Sequence, residues 1–181
     1  YGPISADLTT PQNITFGIGL MPNEAVTISA DFQYVGWSSY DKLEIDFDEW
    51  ANPVTGEQQL SSERNFENSF IARLGAEYKM SEQFALRGGV LYDNNPVTDE
   101  LLEPTLPDAD RIGLNIGLGY HLTENLSLDF AYFLLIFNER NIDGSEVDAN
   151  PSPLAPSIQP FNGTYNSNAH LFGINFSYAI N

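Results

Sequence analysis

Ile112-Gly113-Leu114-Asn115-Ile116-Gly117-Leu118-Gly119-Tyr120 sets every large apolar residue on an even position and a glycine or asparagine on every odd one. Successive side chains of a strand point to opposite faces, so this run has one oily face and one polar or bare face. Six more segments keep the same rhythm: Ile14, Phe16, Ile18 and Leu20; Val26, Ile28, Phe32 and Tyr34; Phe70, Leu74 and Tyr78; Phe84, Leu86, Val90 and Tyr92; the even positions from Leu126 to Ile136; and Phe172, Ile174, Phe176 and Tyr178. Their odd positions carry glycines together with Thr27, Ser29, Asp31, Gln33, Arg73, Glu77, Arg87, Arg111, Asp129, Asn175 and Ser177. No Asp, Glu, Lys or Arg stands on the even face of any of the seven. A soluble sandwich turns its apolar face to a core and its charged face to water. A barrel in lipid reverses the sense, apolar outward and polar inward, over segments of about ten residues. The expected fold is all-β, an antiparallel transmembrane β-barrel.

Composition agrees through what it lacks. The 181 residues include no cysteine and carry a formal charge of -18, so neither a disulfide scaffold nor thiolate chemistry is available. No stretch approaches the roughly 18 apolar residues of a membrane helix. Mean hydropathy is mildly negative, as expected when half of each membrane strand is polar. The chain opens on Tyr1 with no initiator Met and no signal segment, so it reads as a piece of a longer protein.

Three short turns reveal a hairpin meander. Leu20 to Val26, Tyr78 to Phe84 and Tyr120 to Leu126 each run from one outward apolar residue to the next through a tight polar turn holding Glu24, Glu82 or Glu124. The even spacing preserves the facing of the following strand. Between these turns lie long polar connections, about Ser38 to Asn68, Asp93 to Asp110 and Asn138 to Asn168. Short turns at one end and long loops at the other are the pattern of outer-membrane barrels, with the short turns periplasmic. The first strand, about Asn13 to Leu20, and the seventh, about Asn168 to Ile180, both run toward the short-turn side. A seam between them would be parallel, whereas such barrels are antiparallel throughout, so these strands alone are not expected to close.

Particular residues carry a family resemblance. Thr10-Pro11 through Gly17, then Ala30-Asp31-Phe32-Gln33-Tyr34-Val35-Gly36-Trp37-Ser38-Ser39-Tyr40, resemble the FadL, OmpP1 and TodX family of outer-membrane long-chain fatty acid transporters. So do Leu74-Gly75-Ala76-Glu77-Tyr78, Leu86 to Asp93 with Pro96, Leu106-Pro107-Asp108-Ala109-Asp110-Arg111, and Gly163-Thr164-Tyr165 with Asn168 to Tyr178. The resemblance implies a barrel of about fourteen strands with an amino-terminal plug and a lateral opening that releases hydrophobic substrates. Residues 1-181 would then be the carboxy-terminal part of one outer-membrane β-barrel domain, about its last seven strands, with plug and gate upstream. No enzyme activity, no cofactor and no metal is expected, since no nucleophile motif and no zinc spacing is present. The partners implied are a fatty acid or other hydrophobic compound, outer-membrane lipid and lipopolysaccharide, and the barrel assembly machinery; no nucleic acid is implied.

Gly173, Phe176 and Tyr178 have the spacing that assembly machinery reads in a last strand, yet the chain finishes Ala179-Ile180-Asn181 rather than on an aromatic. Either recognition is relaxed or Asn181 is not the natural end. Tyr78, Phe84, Tyr120 and Tyr178 near the short turns, with Tyr34, Trp37, Phe70 and Tyr92 near the long loops, fit two interfacial aromatic girdles.

The inward face carries the chemistry. Arg73, Arg87 and Arg111 are three of seven basic residues, and they share that face with Asp31, Glu77 and Asp129. One reading is that they pair across the lumen, because a buried charge without a partner is costly. The other is that one of them, Arg111 first, receives a fatty-acid carboxylate through a bidentate fork. Ile71, Leu91, Phe133, Leu135, Phe137 and Leu171 break the polar rule of the inward face, near the long-loop ends, and are the candidates for holding an apolar tail.

Other classes have less to stand on. His121 and His170 have no recognisable Ser or Cys partner and no zinc spacing, so a membrane-embedded hydrolase rests on location alone. A soluble lipid-binding or adhesive β-protein would expose an aggregating apolar band. Asp41, Glu44, Asp46, Asp48 and Glu49, and then Asp93, Asp99, Glu100, Glu103, Asp108 and Asp110, make the loops acidic. Hard cations suit such oxygens, but no EF-hand spacing is present, and solvated loops are the plainer reading. Leu43, Ile45 and Phe47 alternate, which suggests either an extension of the strand from Val26 or a short hairpin above the membrane. Asn162-Gly163-Thr164 matches a glycosylation sequon, and Pro151 to Pro160 reads as an extended loop.

Overall fold

Residues 2–47, 51, 56, 58–147 and 160–180 are described by the computed structural model of the chain. Asp48, Glu49, most of the proline-rich loop and both terminal residues, Tyr1 and Asn181, lie outside the described residues. In chain order the strands are β1 Ile4–Asp7, β2 Asn13–Asn23, β3 Val26–Val35, β4 Lys42–Phe47, β5 Gln59–Glu63, β6 Ser69–Lys79, β7 Phe84–Asp93, β8 Arg111–His121, β9 Leu126–Phe137, β10 Arg140–Ile142, β11 Gly163–Tyr165 and β12 Asn168–Tyr178. The described residues hold no α-helix.

The seven alternating segments are β2, β3, β6, β7, β8, β9 and β12, and they form one antiparallel sheet in the order β12-β9-β8-β7-β6-β3-β2. Each strand pairs with its neighbours in the meander, so this all-β sheet is the wall of a partial barrel. Cross-strand partners share parity, as in Ile112 with Ile136, Leu114 with Val90 and Asp93 with Arg111. That parity keeps the even-position apolar residues on one face across the whole wall. The exception is Asn23 opposite Val26, where a register shift after Leu20 lets β2 run to Asn23, past the expected end at Leu20. β12 stops at Tyr178, short of Ile180. Strands of 11 residues, at ~3.4 Å each and tilted near 45°, cross an apolar band of about 25 Å.

Side chains explain the tight turns. The Ser81 hydroxyl accepts the Phe84 N–H at 3.1 Å, Thr123 accepts that of Leu126 at 3.1 Å, and the Asn23 side chain accepts that of Ala25 at 2.9 Å. Such side-chain contacts replace a missing ladder partner and reverse the chain locally.

The wall has almost no conventional core. Ile116 is 55 % exposed and Phe172 80 %, as are many other even-face residues to similar degree, while among the described residues the most deeply buried large apolar side chain is Leu102, in a loop. A surface this apolar belongs in lipid rather than water. Cross-strand rings reinforce both rims: Phe84 stacks on Tyr120 at 4.5 Å, and Phe70 lies 5.5 Å from Phe32 and 5.7 Å from Tyr92. Trp37 departs from the expected girdle. It opens a short 3-10 turn, Trp37–Ser39, and meets Phe66 edge-on at 5.7 Å.

Among the described residues β2 and β12 share no ladder, so the wall has two bare edges, as the parallel seam required. In lipid a bare edge is tolerated only when another strand covers it. Above the wall, Leu43, Ile45 and Phe47 belong to a hairpin rather than an extension of β3: β4 pairs with both β5 and β1 in a separate three-stranded sheet. β10 and β11 form a second small ladder, which the sequence pattern did not reveal.

Candidate functional site: the lumen face

Odd residues line up in rows across the wall. Nearest the long loops, Gln33, Ile71, Asp93, Arg111 and Phe137 stand side by side. The next row is Asp31, Arg73, Leu91, Gly113, Leu135 and Ala169, and the third is Ser29, Gly75, Gly89, Asn115, Phe133 and Leu171. Nearer the short turns, Glu77, Arg87, Gly117, Ala131 and Gly173 form a fourth.

Each arginine is already held. Arg73 donates to Asp31 at 2.6 Å and to Gln33 at 3.0 Å. Arg87 donates to Glu77 and to Asp129, each at 2.7 Å. Arg111 donates to Asp93 through Nε at 2.8 Å and Nη2 at 2.6 Å, and to Asp108 through Nη1 at 2.9 Å; its guanidinium also sits 5.5 Å from the Phe137 ring. The ion pairs therefore run along the wall, between adjacent strands, past β8 from Arg87 to Asp129, and from Arg111 to Asp108 in the loop before it, not across the lumen as the sequence suggested. Asp31–Arg73, Glu77–Arg87 and Asp93–Arg111 sit directly opposite in the ladders. From sequence Gln33 is read on the inward face and Asp93 as loop, neither as an arginine partner; each lies across a long loop from its arginine, so no count through a tight turn relates them.

Between the Arg111 and Arg87 ion pairs, on β7, β8, β9 and β12, the face is largely apolar, with Asn115 as its polar residue. A Cβ on Gly113 would lie 2.6 Å from Phe133 and 2.7 Å from Leu91, so these two side chains meet over the glycine from either flanking strand. Leu135 is opposite Gly113 and Leu171 opposite Phe133, which makes one patch from Leu91, Phe133, Leu135 and Leu171. Ile71 and Phe137 border it in the top row beside Asp93 and Arg111. All six apolar candidates thus share one face, with Ile71 at the patch's far side.

The outward face holds an apolar groove of about 510 Å³ among Leu86, Ile116, Leu118, Phe130, Tyr132 and Phe172, on the lipid side. His170 is also outward and shares a 2.8 Å hydrogen bond with the Tyr132 hydroxyl. Among the described residues no three His, Asp or Glu side chains converge as a metal shell.

The long loops close over the loop-side rim as a bonded layer. Arg140 donates to Asp99 at 2.9 Å and to the Asp108 carbonyl at 2.9 Å, Glu67 N–H to the Pro96 carbonyl at 2.8 Å, and Arg64 pairs with Glu103. Asn162, the sequon residue, accepts from Ser145 N–H and donates to the Asp143 carbonyl, both at 3.0 Å, so it clasps two loop arms. Asp110 anchors the layer to the wall, accepting from Asn95 N–H at 2.8 Å, Tyr92 Oη at 2.8 Å and Asn94 Nδ2 at 3.1 Å. Burial pushes its carboxyl upward, but those donors and the charge of Arg140 outweigh it and hold the group below the usual carboxylate range.

The model of the family described as outer membrane protein transport protein (OMPP1/FadL/TodX) matches residues 1–180. The chain is 27% identical over 178 residues to outer membrane protein P1 of Haemophilus influenzae, covering 96% of this chain and 36% of that one. To the long-chain fatty acid transport protein of Escherichia coli it is 25% identical over 147 residues, 81% of this chain and 28% of the relative. A Pseudomonas aeruginosa FadL homologue of known structure superposes with a TM-score of 0.80 at 24% identity, covering 97% of this chain and 37% of the other. The P. putida toluene transporter TodX gives a TM-score of 0.63 at 16% identity, covering 98% and 36%. Both structural likenesses are likenesses of fold. The chain spans about a third of the length of these relatives.

Proposed function

The chain belongs to the OMPP1/FadL/TodX family of outer-membrane transport proteins, and from that premise we propose that the complete protein carries fatty acids or other hydrophobic compounds across the bacterial outer membrane. The observation that carries this reading is the apolar patch on the lumen face. Leu91, Phe133, Leu135 and Leu171 form an apolar patch on a face that otherwise carries many glycines, amides and ion pairs. In a barrel wall the inward face is ordinarily polar, and greasy residues there suit a solute that water dissolves poorly. Ile71, Leu91, Phe133, Leu135, Phe137 and Leu171 would contact that solute, while Arg73, Arg87 and Arg111 border its path.

Residues 1-181 form the carboxy-terminal part of a single barrel domain in this reading, with a plug and about seven further strands covering the bare edges of β2 and β12. The long-loop layer faces the cell exterior, against lipopolysaccharide, and the turns at Glu24, Glu82 and Glu124 face the periplasm. The β12 strand addresses the barrel assembly machinery. The reading is of a transporter and not of an enzyme, and His170, which shares a hydrogen bond with Tyr132 on the lipid side, has no catalytic role in it.

Cells carrying the full-length gene are expected to take up a radiolabelled fatty acid or hydrocarbon faster than cells without it. Phe133→Asp should slow that uptake after normalisation to folded barrel. Equal uptake with and without the gene would end the transport reading. An epitope at Asp99 should be reached by antibody on whole cells and one at Glu82 should not; the opposite result would invert the topology.

A further inference from the structure

We infer that the lumen wall supplied by this chain is built for uncharged hydrophobic solutes, and that its three arginines serve the wall and not a substrate carboxylate. The inference rests on the transport reading above and narrows its substrate class. A carboxylate needs a cation with a free fork. Neither two-pronged edge of any guanidinium is left whole: Arg73 donates through Nη1 to Asp31 and Nη2 to Gln33, Arg87 through Nε to Glu77 and Nη1 to Asp129, and Arg111 through Nη2 to Asp93 and Nη1 to Asp108. Three guanidinium charges thus meet five carboxylates, Asp31, Glu77, Asp93, Asp108 and Asp129, all within 2.9 Å contacts. An incoming anion would have to displace one of these carboxylates and then sit beside it, losing as much by like-charge repulsion as it gains from the arginine. The patch of Leu91, Phe133, Leu135 and Leu171 lies between the Arg111 and Arg87 clusters, so negative balance flanks it on both sides. A neutral alkyl or aromatic solute meets the patch without that penalty. Gly113 fits the same purpose, since its missing side chain lets Phe133 and Leu91 close into a continuous surface.

The test compares uptake of dodecane and ionised dodecanoate by cells carrying the full-length protein, normalised to folded barrel. Arg111→Gln is combined with Asp93→Asn, so that the net charge of the cluster is unchanged while Asp108 loses its arginine. The dodecanoate-to-dodecane ratio should stay within about two-fold of the parent. The matching pairs Arg73→Gln with Asp31→Asn and Arg87→Gln with Glu77→Gln should behave alike. Asp93→Asn with Asp108→Asn instead frees the Arg111 fork and should raise the ratio about ten-fold or more, the effect of one charge-assisted contact. A ratio that drops about ten-fold in the first set, or does not move in the last variant, overturns the inference. Should neither probe enter faster than in cells lacking the protein, the transport reading itself fails.

Discussion

In the seven-stranded wall every ladder joins successive strands of the meander, whereas the loop layer is held by side chains reaching 39 to 41 residues along the chain, as in Arg64 to Glu103 and Arg140 to Asp99. The wall repeats one device, large apolar residues kept to the even positions of its outward face, and takes its stability from lipid and from backbone pairing. The layer above it has no repeat. It depends on individual charged and amide contacts around a few buried residues such as Leu102, Ala109 and Ile142. A change in the periodic wall is therefore judged first by facing and then by packing, and one in the aperiodic layer by the individual contact it removes. Four substitutions or conditions probe that difference.

The largest effect should come from violating the facing itself. Ile116 lies at the middle of β8 on the lipid side, so Ile116→Arg should cost about 2–4 kcal/mol of barrel stability, the usual penalty for arginine at the bilayer midplane. Asn115→Arg, one residue away on the lumen side, should cost far less. Urea titration of the full-length protein refolded into vesicles reads both. Equal penalties would mean that the two faces of the wall are not distinguished by lipid.

Next comes the packing of the lumen patch. Gly113→Ala puts a methyl group within 2.8 Å of Phe133 and Leu91, closer than real contacts allow, and overpacking of this kind costs about 1–3 kcal/mol. Adding Phe133→Ala should recover most of the loss, because the methyl then occupies the space the ring vacates. Failure of that rescue would place the strain in the backbone instead of the ring.

How much of this could be read from sequence divides along the same line. All seven wall strands, their facing, the three tight turns and the open seam followed from parity, since a shift of one residue would have turned every apolar side chain inward. Arg73, Arg87 and Arg111 were assigned to the lumen face on the same ground. Their partners were not, because opposite position depends on how many residues each turn consumes, and the acidic partner Asp93 looked like loop. β1, β10 and β11 are too short to show alternation. The clasp at Asn162 resembled a modification motif because its two partners, Ser145 and Asp143, lie 17 and 19 residues away.

The loop layer offers a smaller and more local break. Arg140→Ala removes the donors to Asp99 and to the Asp108 carbonyl. Hydrogen bonds from charged groups are worth about 1.5–3 kcal/mol when buried and less when one partner is exposed, as Asp99 is. The expected result is faster protease cleavage between Asp93 and Asp110 with the urea midpoint of the wall unchanged. A matching fall in that midpoint would show that layer and wall unfold together, and the contrast between them would disappear.

The smallest effect should appear only in acid. Asp110 is held below the usual carboxylate range in the folded protein, with burial opposing the shift and the Asn95, Tyr92 and Asn94 donors prevailing. A carboxyl whose folded value lies below its unfolded value adds stability at neutral pH, and that contribution is lost as pH falls through the folded value. The layer should therefore become more protease-sensitive below the ordinary range for aspartate, about pH 3.9, and remain closed above it. Asp110→Asn keeps an acceptor for the Asn95 N–H but cannot titrate, so it should open slightly at every pH and flatten the acid step. If the acid step survives in Asp110→Asn with its original midpoint, another carboxylate of the layer controls it, and Asp110 is only a structural contact between loop and wall.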